Sequence, residues 1–370
     1  MQTVVSIVGT RPEGIKMAPV VQELGRHPDR LRSVLVSTGQ HREMLDQVLR
    51  LFGLRPNVEL NLMRPDQTLA RLTGDLFHAL DAVVREQRPD WILAQGDTTT
   101  VMVASVVAFY HRIRFGHVEA GLRTGDYQRP FPEELNRRIA DLAASAYFAP
   151  TARSAAALRA EGIPDGAIHE TGNTVVDALL QVAARPFDWA SSPLSVVPEG
   201  TPFVLVTAHR RESFGEPFRE LCRAILEVAE SGEAQGIRVV FPVHLNPNVR
   251  APVREILGGH PRVHLLEPLD YVDMVQALRR ARLILTDSGG VQEEAPSFGV
   301  PVLVMRDTTE RPEGVEAGAV HLVGTDRSRI VASARAHLSG PVPSGAARNP
   351  YGDGHAAERI VSVLLREAAE

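Results

Sequence analysis

Short runs of apolar, often β-branched residues alternate with longer segments of helical periodicity along the chain. The short runs predict strands at 4–8, 34–37, 91–94, 115–118, 147–149, 204–207, 239–242, 263–265, 283–286 and 302–305. The periodic segments predict helices that include 68–87, 98–111, 134–145, 218–230, 274–280 and 356–368. Apolar strands that alternate with helices are typical of parallel sheets covered on both faces. The pattern therefore predicts an α/β protein.

The alternation pauses once, at 185–202, where four prolines and two adjacent serines predict a linker. Each half of the chain is long enough to form its own doubly wound sheet. We place a Rossmann-like N-terminal domain at 1–170, joined by the C-terminal helix at 355–370. A second Rossmann-like domain, at 171–354, completes the predicted organisation.

Polar residues collect where the predicted strands end, in both halves of the chain. Ligands of open α/β sheets bind beyond the carboxyl ends of the strands. Several such ends from both halves predict a cleft between two facing domains. The segments concerned are 9–16, 95–100, 119–124, 132–138, 208–212, 242–247 and 287–294.

Three carboxylates, Asp97, Glu119 and Glu133, follow strands or nearby loops of the first half, and His209 follows a strand of the second. Carboxylates and an imidazole at one closed site are the groups that proton transfer requires. Taken singly, each could be structural, and Asp97 could cap the helix that begins near Thr98. Together they favour acid–base catalysis.

The segment 287–294 combines a strand end, a turn of small residues and the start of a helix. Exposed N–H groups and the positive end of the helix dipole suit a phosphate, and Gly289 and Gly290 allow its close approach. Glu294 could accept hydrogen bonds from ribose hydroxyls. The alternative is a plain glycine-rich turn whose glutamates are favoured by the helix dipole.

Composition draws attention to one cation. The chain has 370 residues, a net charge of −5, and 40 basic residues of which only Lys16 is lysine. Lysine is a compact point charge, whereas arginine is a planar fork. The single lysine therefore has two explanations: Lys16 has a role that requires a compact charge, or it remains by chance. Ile15 separates Gly14 from Lys16, which breaks the P-loop pattern and argues against ATP hydrolysis. Together with Arg11, Lys16 predicts an anionic ligand.

Other classes of protein are disfavoured. Cys222 is the only cysteine, which excludes an intrachain disulfide and suits a reducing cytosol. Neither an HExxH motif nor a GxGxxG motif in its strand context occurs, so we expect no metal and no other cofactor. The sequence has no block of basic residues of the kind that binds nucleic acid, so we expect no nucleic-acid partner. The longest apolar run, 101–110, is too short to span a membrane, and 4–8 does not read as a signal peptide, so we expect a cytoplasmic protein.

The chain closely resembles the non-hydrolysing UDP-N-acetylglucosamine (UDP-GlcNAc) 2-epimerase family from Thr3 to about Ile360. The resemblance rests on the segments GTRPEGIKMAPV, GDTTT, VEAGLRT, FPEELNRR, HRRESFG, HLNPNV, DSGGVQEEAPSFGVPVLVMRDTTERPEG and NPYGDG. It implies a GT-B-like fold and reversible conversion of UDP-GlcNAc to UDP-N-acetylmannosamine (UDP-ManNAc). UDP leaves to give a 2-acetamidoglucal and then adds back. The resemblance also implies a homodimer and a supply of precursor for surface polysaccharides.

The resemblance assigns roles to individual residues. Asp97, Glu119, Glu133 and His209 match the acid–base and sugar-contacting set. The residues that match the substrate-binding set are Arg11, Ser288, Gly289 and Gly290 for the diphosphate, Glu294 for the ribose, Lys16 and Arg311 for the sugar–phosphate end, Met274 for the uracil, and His244, which is not assigned to one part of the substrate. A hydrolysing epimerase, which releases free ManNAc, and a GT-B glycosyltransferase remain alternatives, and a non-enzymatic nucleotide-sugar sensor is a third.

One departure concerns regulation. Several bacterial members of the family bind a second UDP-GlcNAc as an activator, through a segment similar to the one that contains Gln40, His41 and Glu43. Those members usually carry glutamine at the place of Glu43 and arginine at the place of Asp66. Two carboxylates near a diphosphate repel it, so we expect an impaired allosteric site.

We predict that this protein converts UDP-ManNAc without a lag when UDP-GlcNAc is absent, because the activator site is weakened. The measurement is an NMR time course that starts from UDP-ManNAc freed of all UDP-GlcNAc. A lag that disappears on addition of UDP-GlcNAc would contradict the prediction.

Overall fold

The computed structural model describes residues 1–39, 42–64, 66–340 and 349–367, apart from the side chains of Arg42 and Glu43. The chain forms two compact units, Met1–Ala178 with Tyr351–Glu370, and Leu179–Pro350. Each unit is built on one parallel sheet flanked by helices. The prediction of two α/β domains with parallel sheets is confirmed.

The first unit contains a seven-stranded sheet in the described part of the chain, with strand order β3-β2-β1-β4-β5-β6-β7. Its strands are β1 (Gln2–Val8), β2 (Leu31–Ser37), β3 (Val58–Glu59), β4 (Trp91–Gln95), β5 (Arg114–Val118), β6 (Ala146–Ala149) and β7 (Ile168–Glu170). Its helices are α1 (Arg11–Gly25), α2 (Arg42–Leu51), α3 (Leu69–Gln87), α4 (Thr99–Tyr110), α5 (Glu133–Ala143), α6 (Ala152–Ala160) and the start of α7 (Thr174–Ala183).

Helices cover both faces of this sheet because its central strands are apolar on both sides. In β1, Val8 packs in a cluster with Met17 of α1 and Ile360 of the last helix (Ala356–Glu367). The preceding residue, Ile7, points the other way and packs in a cluster with Leu76 of α3. Alternate residues therefore supply two separate hydrophobic layers.

The last helix, numbered α14 below, belongs to the first unit and is capped there by Asp177. The Asp177 carboxylate accepts hydrogen bonds from the backbone N–H groups of Ala356, at 3.2 Å, and Ala357, at 2.9 Å. Burial raises the pKa of Asp177 to about 6, although these hydrogen bonds oppose the shift. The start of α7 thus fixes the start of α14.

The second unit, in its described residues, contains a six-stranded sheet with strand order β10-β9-β8-β11-β12-β13. Its strands are β8 (Phe203–Thr207), β9 (Arg238–Pro242), β10 (Val263–Leu266), β11 (Leu283–Thr286), β12 (Val302–Val304) and β13 (Val320–Leu322). Its helices are α8 (Glu216–Ser231), α9 (Pro247–Leu257), α10 (Tyr271–Arg280), α11 (Gly289–Glu294), α12 (Pro312–Glu316) and α13 (Arg327–Ser339).

The segment 185–202 is not a linker, which makes that prediction wrong. It folds within the second unit, where Trp189 and Leu194 are buried. The Trp189 indole N–H donates to the carbonyl oxygen of Val197 at 2.8 Å, and the Ser192 hydroxyl donates to Asp273 at 2.6 Å. Buried apolar residues between the prolines hold the segment in place.

Two features are not found in the described residues. None of their helices combines the length and apolar character needed to cross a membrane. Within the same residues, no group of three or more His, Cys, Asp or Glu side chains is arranged to hold a metal ion.

We predict that Asp177→Ala destabilises the first unit by about 1–2 kcal/mol, because two N–H groups at the start of α14 lose their acceptor. The measurement is the urea midpoint of unfolding. Asp29→Ala, which removes an exposed carboxylate, is the matched control and should leave the midpoint nearly unchanged. Equal midpoints for the two variants would contradict the capping role.

Candidate active site

In the first unit, the residues predicted to act in catalysis follow adjacent strands. Strand β4 lies between β1 and β5, and all three run in parallel. Their carboxyl ends therefore meet at one edge of the sheet. The segments after these strands carry Lys16, Asp97 and Glu119.

Helix α1 begins directly after β1, so the segment that superficially resembles a phosphate loop forms the first turns of a helix. Thr10 caps this helix by accepting a hydrogen bond from the backbone N–H of Glu13. The Glu13 carboxylate accepts hydrogen bonds from the N–H of Gly9 at 2.5 Å and of Thr10 at 2.9 Å, and from the Thr98 hydroxyl at 2.6 Å. Burial raises the pKa of Glu13. This side chain joins the starts of α1 and α4.

Lys16 lies on the second turn of α1, and its ammonium contacts Oε2 of Glu119. The side chains are mostly buried, with 13% of Lys16 and 8% of Glu119 exposed. The same oxygen of Glu119 accepts a hydrogen bond from the Asn173 amide at 2.9 Å. Two donors thus converge on one carboxylate oxygen and fix its direction. Arg11, the first residue of α1, is partly exposed.

Glu119 has a left-handed backbone conformation, with φ of 68°. Its N–H and that of Ala120 both donate to the carbonyl oxygen of Phe148, at 3.0 and 3.1 Å. For a residue with a side chain this conformation costs about 1–2 kcal/mol. Such strain persists only where surrounding contacts impose it, and it is concentrated at functional sites.

Asp97 pairs through its carboxylate with Arg137 of α5. The Asn136 amide donates to the backbone carbonyl of Asp97 at 3.0 Å. Arg137 also contacts the buried Glu134 at 3.3 Å. The alternative in which Asp97 caps α4 is wrong, because the Thr98 side chain performs that function.

Glu133 is the first residue of α5. Its Oε2 atom is buried and has no hydrogen-bond partner among the residues that the structure describes. A buried polar atom without a protein partner needs an explanation in terms of solvent, strain or ligand. A carboxylate oxygen in this situation can exchange a proton with a bound molecule.

Sequence reasoning missed a buried ion pair beneath these residues. In β5, Nδ1 of His117 lies 2.6 Å from Oδ1 of Asp141, and Nε2 lies 2.7 Å from the carbonyl oxygen of Gly96. Burial by itself lowers the pKa of His117, but the contacts with Asp141 and Gly96 outweigh it and the pKa is raised. Burial likewise opposes the charge on Asp141, yet His117 and Arg123 lower its pKa.

In the second unit, the ends of the neighbouring strands β8 and β11 are connected by Asp287. The buried Asp287 carboxylate accepts hydrogen bonds from the backbone N–H groups of His209, at 2.7 Å, and Arg210, at 2.8 Å. Its other oxygen lies 3.5 Å from Nδ1 of His209. Asp287 therefore fixes the segment that carries His209.

The His209 ring stacks on the ring of His244, with centroids 5.3 Å apart and planes 15° apart. Burial lowers the pKa of His209, and His244 adds to this effect against the opposing charge of Asp287. A neutral His209 can accept a proton near neutral pH. Nδ1 of His244 accepts a hydrogen bond from the N–H of Asn246 at 3.1 Å, which leaves Nε2 as the donor of a neutral ring.

The glycine-rich strand end faces two guanidinium groups. Ser288 precedes α11, which begins at Gly289. A Cβ atom on Gly289 would lie 3.5 Å from an Arg210 terminal nitrogen and 3.9 Å from the Arg311 guanidinium. Arg311 is in turn held by Glu293, 2.5 Å from its Nε. The turn at Gly289 thus lies close to two positive charges, which favours an anionic ligand there.

The remaining substrate-binding candidates of this unit lie on α10 and α11. Oε1 of Glu294 lies 3.6 Å from the position that a Cβ of Gly290 would occupy, so its carboxylate lies near the start of α11. Met274 is partly buried on α10. The contact of Met274 with the uracil stays a prediction.

The predicted activator site is described only in part. Gln40 and His41 lie outside the described residues, and so does the side chain of Glu43. Asp66 is exposed, with a backbone φ of 55°.

Several residues that hold the predicted site residues in place occur within the sequence motifs, although the motifs alone do not indicate their roles. Arg137 lies in FPEELNRR, Arg210 in HRRESFG and Asp287 in DSGG. Asn173, the second partner of Glu119, lies in none of the motifs. A charged residue inside a motif can be identified from the sequence as a candidate partner of a site residue. Asn173 could not, because only the fold brings it to Glu119.

Two Rossmann-like units, one with carboxylates at its strand ends and one with a glycine-rich strand end, are the construction of nucleotide-sugar enzymes with a GT-B-like fold. The sequence model of the family described as UDP-N-acetylglucosamine 2-epimerase matches residues 22–365. The chain belongs to this family, and the resemblance seen in its motifs is confirmed.

Individual relatives agree. The UDP-N-acetylglucosamine 2-epimerase of Escherichia coli (strain K12) is 50% identical over 370 residues, which cover 98% of this chain and 98% of that protein. The structure of the UDP-GlcNAc 2-epimerase from Neisseria meningitidis bound to UDP-GlcNAc has a TM-score of 0.86 at 42% identity and covers 98% of this chain and 100% of its own. The Methanocaldococcus jannaschii enzyme in complex with UDP-GlcNAc and UDP has a TM-score of 0.81 at 33% identity, covering 98% and 99%. These similarities support UDP-GlcNAc 2-epimerase activity.

We predict that Lys16→Arg lowers kcat for UDP-GlcNAc at least about tenfold, because a wider planar guanidinium replaces a compact ammonium in a mostly buried contact with Glu119. Steady-state kinetics measures the effect. Arg26→Lys, the reverse exchange at a side chain that is 67% exposed, is the charge-conserving control. Near-normal turnover of Lys16→Arg would show that charge alone suffices at this position.

Proposed function

We propose that this protein interconverts UDP-GlcNAc and UDP-ManNAc without hydrolysis, by elimination and re-addition of UDP. The observation that carries the proposal is a pair of differently held carboxylates in one unit. Glu119 is fixed by Lys16 and Asn173, whereas Oε2 of Glu133 is buried without a donor among the described residues. Inversion at C2 requires proton-transfer groups on opposite faces of the sugar ring, and this unit offers more than one candidate.

The reaction balances without a cofactor. A base takes the proton from C2 of the sugar, the C2–H electron pair forms the C1=C2 double bond, and the C1–O pair leaves with UDP. In the return step, a phosphate oxygen of UDP adds to C1 and a proton is delivered to C2 from the opposite face. Because the C2 proton is weakly acidic, departure of a good leaving group must assist its removal.

The acid–base set in this proposal is Asp97, Glu119, Glu133 and His209. Asp97 is held by Arg137, so its carboxylate is oriented as well as charged. His209 has a lowered pKa because of its burial, and the neutral ring suits proton acceptance. We leave the assignment of each group to a face of the sugar open.

The second set binds the nucleotide. Arg11, Ser288, Gly289 and Gly290 hold the diphosphate, Glu294 holds the ribose, Met274 contacts the uracil, Lys16 and Arg311 contact the sugar–phosphate end, and His244 is a further substrate-binding residue. The closeness of the Arg210 and Arg311 guanidinium groups to Gly289 supports this assignment. The binding of UDP-GlcNAc by the Neisseria meningitidis relative also supports it.

The proposal includes the biological setting that the resemblance implies. We expect a cytoplasmic homodimer whose product, UDP-ManNAc, is consumed in the synthesis of surface polysaccharides. Size-exclusion chromatography with light scattering tests the homodimer.

The proposed reaction predicts that UDP-GlcNAc incubated with the protein in D₂O yields intact UDP-ManNAc with deuterium at C2, followed by NMR. Solvent deuterium enters because the proton delivered to the opposite face comes from a second group, whose proton exchanges with D₂O. Release of free ManNAc and UDP would instead indicate a hydrolysing epimerase. No reaction until an acceptor sugar is added would indicate a glycosyltransferase.

Amide variants identify the groups that move the proton. Asp97→Asn and Glu119→Gln should each lower deuterium entry at least about a hundredfold, as expected for loss of a general acid or base. Glu86→Gln, an exposed carboxylate on α3, is the control. Normal deuterium entry in both site variants would remove Asp97 and Glu119 from the acid–base set.

A further inference from the structure

The reaction proposed above makes no direct use of the fully buried His117. Its Nδ1 lies 2.6 Å from a carboxylate oxygen of Asp141 and its Nε2 lies 2.7 Å from the carbonyl oxygen of Gly96. An ionised carboxylate and a backbone carbonyl can only accept hydrogen bonds. Both ring nitrogens must therefore donate, and the ring is an imidazolium.

The positive ring belongs to a group of charges that balances locally. Asp141 also pairs with Arg123 at 2.7 Å, and Arg123 donates two hydrogen bonds of 2.7 Å to Glu161. Two cations thus face two carboxylates. A buried charge is tolerated only when it is paired in this way.

Both backbone polar groups of Gly96 form hydrogen bonds with residues of β5. Its N–H donates to the carbonyl oxygen of Val118 at 3.0 Å, and its own carbonyl accepts from His117. With φ of 87°, Gly96 has a conformation that favours glycine. The carbonyl of Gly96 and the nitrogen of Asp97 belong to one planar peptide unit. The hydrogen bond from His117 therefore fixes the plane from which Asp97 extends.

Asp141 extends this arrangement to the segment after Glu119. Its second oxygen accepts a hydrogen bond from the N–H of Gly121 at 3.3 Å. Asp141 also lies on α5, the helix that carries Arg137, which binds the Asp97 carboxylate. The pair of His117 and Asp141 thus contacts the supports of both Asp97 and Glu119.

We propose that His117 is a positioning residue for the reaction: its Nε2–H holds the Gly96–Asp97 peptide so that the Asp97 carboxylate keeps one direction. This inference rests on the proposed function, in which Asp97 belongs to the acid–base set. The bond from Nδ1 to Asp141 has a different consequence, because it satisfies a buried carboxylate and stabilises the first unit.

Two variants separate these consequences. In His117→Asn the side-chain amide reaches about as far as Nδ1, so it keeps a donor for Asp141 and releases the carbonyl of Gly96. In His117→Gln the amide reaches about as far as Nε2, so it keeps a donor for Gly96 and leaves Asp141 with Arg123 and the N–H of Gly121.

We expect kcat for UDP-GlcNAc to fall on the order of 10- to 100-fold in His117→Asn, as for a small misplacement of a reacting group. In His117→Gln it should stay within about threefold of the wild type, and KM should change less than about threefold in both variants. The thermal midpoint should fall further in His117→Gln, because both variants remove the positive charge beside Asp141 but only His117→Gln also removes its hydrogen-bond donor. A purely structural role would instead make activity follow stability.

Wild type and Asp97→Asn are assayed alongside. If the wild type is active and Asp97→Asn is not, a normal kcat for His117→Asn overturns the positioning role and leaves the proposed function standing. The positioning role is also overturned if kcat falls further in His117→Gln than in His117→Asn, in the same order as the thermal midpoint. An inactive wild type removes the proposed function, and the positioning role falls with it.

A measurement on the wild type covers the case in which the variants do not fold. NMR of ¹⁵N-histidine-labelled protein at pH 8 should show a slowly exchanging ring with both nitrogens protonated. If every slowly exchanging ring lacks a proton on Nε2, His117 cannot donate to Gly96 and the proposal is wrong.

Discussion

A parallel sheet places the carboxyl ends of all its strands along one edge, and the chemistry of both units depends on this constraint. In the first unit it brings Lys16 against Glu119, although 103 positions separate them in the chain. In the second it places the ends of β8 and β11 side by side, so that Asp287 can hold the backbone at His209. Strand order, rather than any local motif, assembles both groups of residues.

Burial at such an edge demands partners for charged groups, and the first unit provides them in two ways. Asp97 and Glu119 each have a cation from another element. Glu13 relies on backbone and hydroxyl donors, and its raised pKa reflects how strongly burial opposes its charge. Glu133 is the exception, since one buried oxygen has no donor in the described part of the chain. That contrast separates three carboxylates held by protein donors from one whose buried oxygen lacks such a donor.

The sequence was sufficient for the central strands, because Val, Ile and Leu buried on both faces leave an unambiguous pattern. It did not reveal β3, β7 and β13, edge strands of two or three residues that carry too little periodicity. The motifs identified Lys16 and Glu119 but not their contact, which the fold creates. His117 escaped notice because a histidine within an apolar strand looks like part of the core, and its partner is 24 positions away.

The single lysine has a practical consequence. A protease that cleaves only after lysine has one site in this sequence, the bond between Lys16 and Met17. That bond lies inside α1, and Met17 is fully buried, so the native helix must open before cleavage. The rate of this one cut therefore measures the local opening of α1 under native conditions, without any engineered site. Cleavage after Lys16, the residue that contacts Glu119, thus also reports on the dynamics of α1.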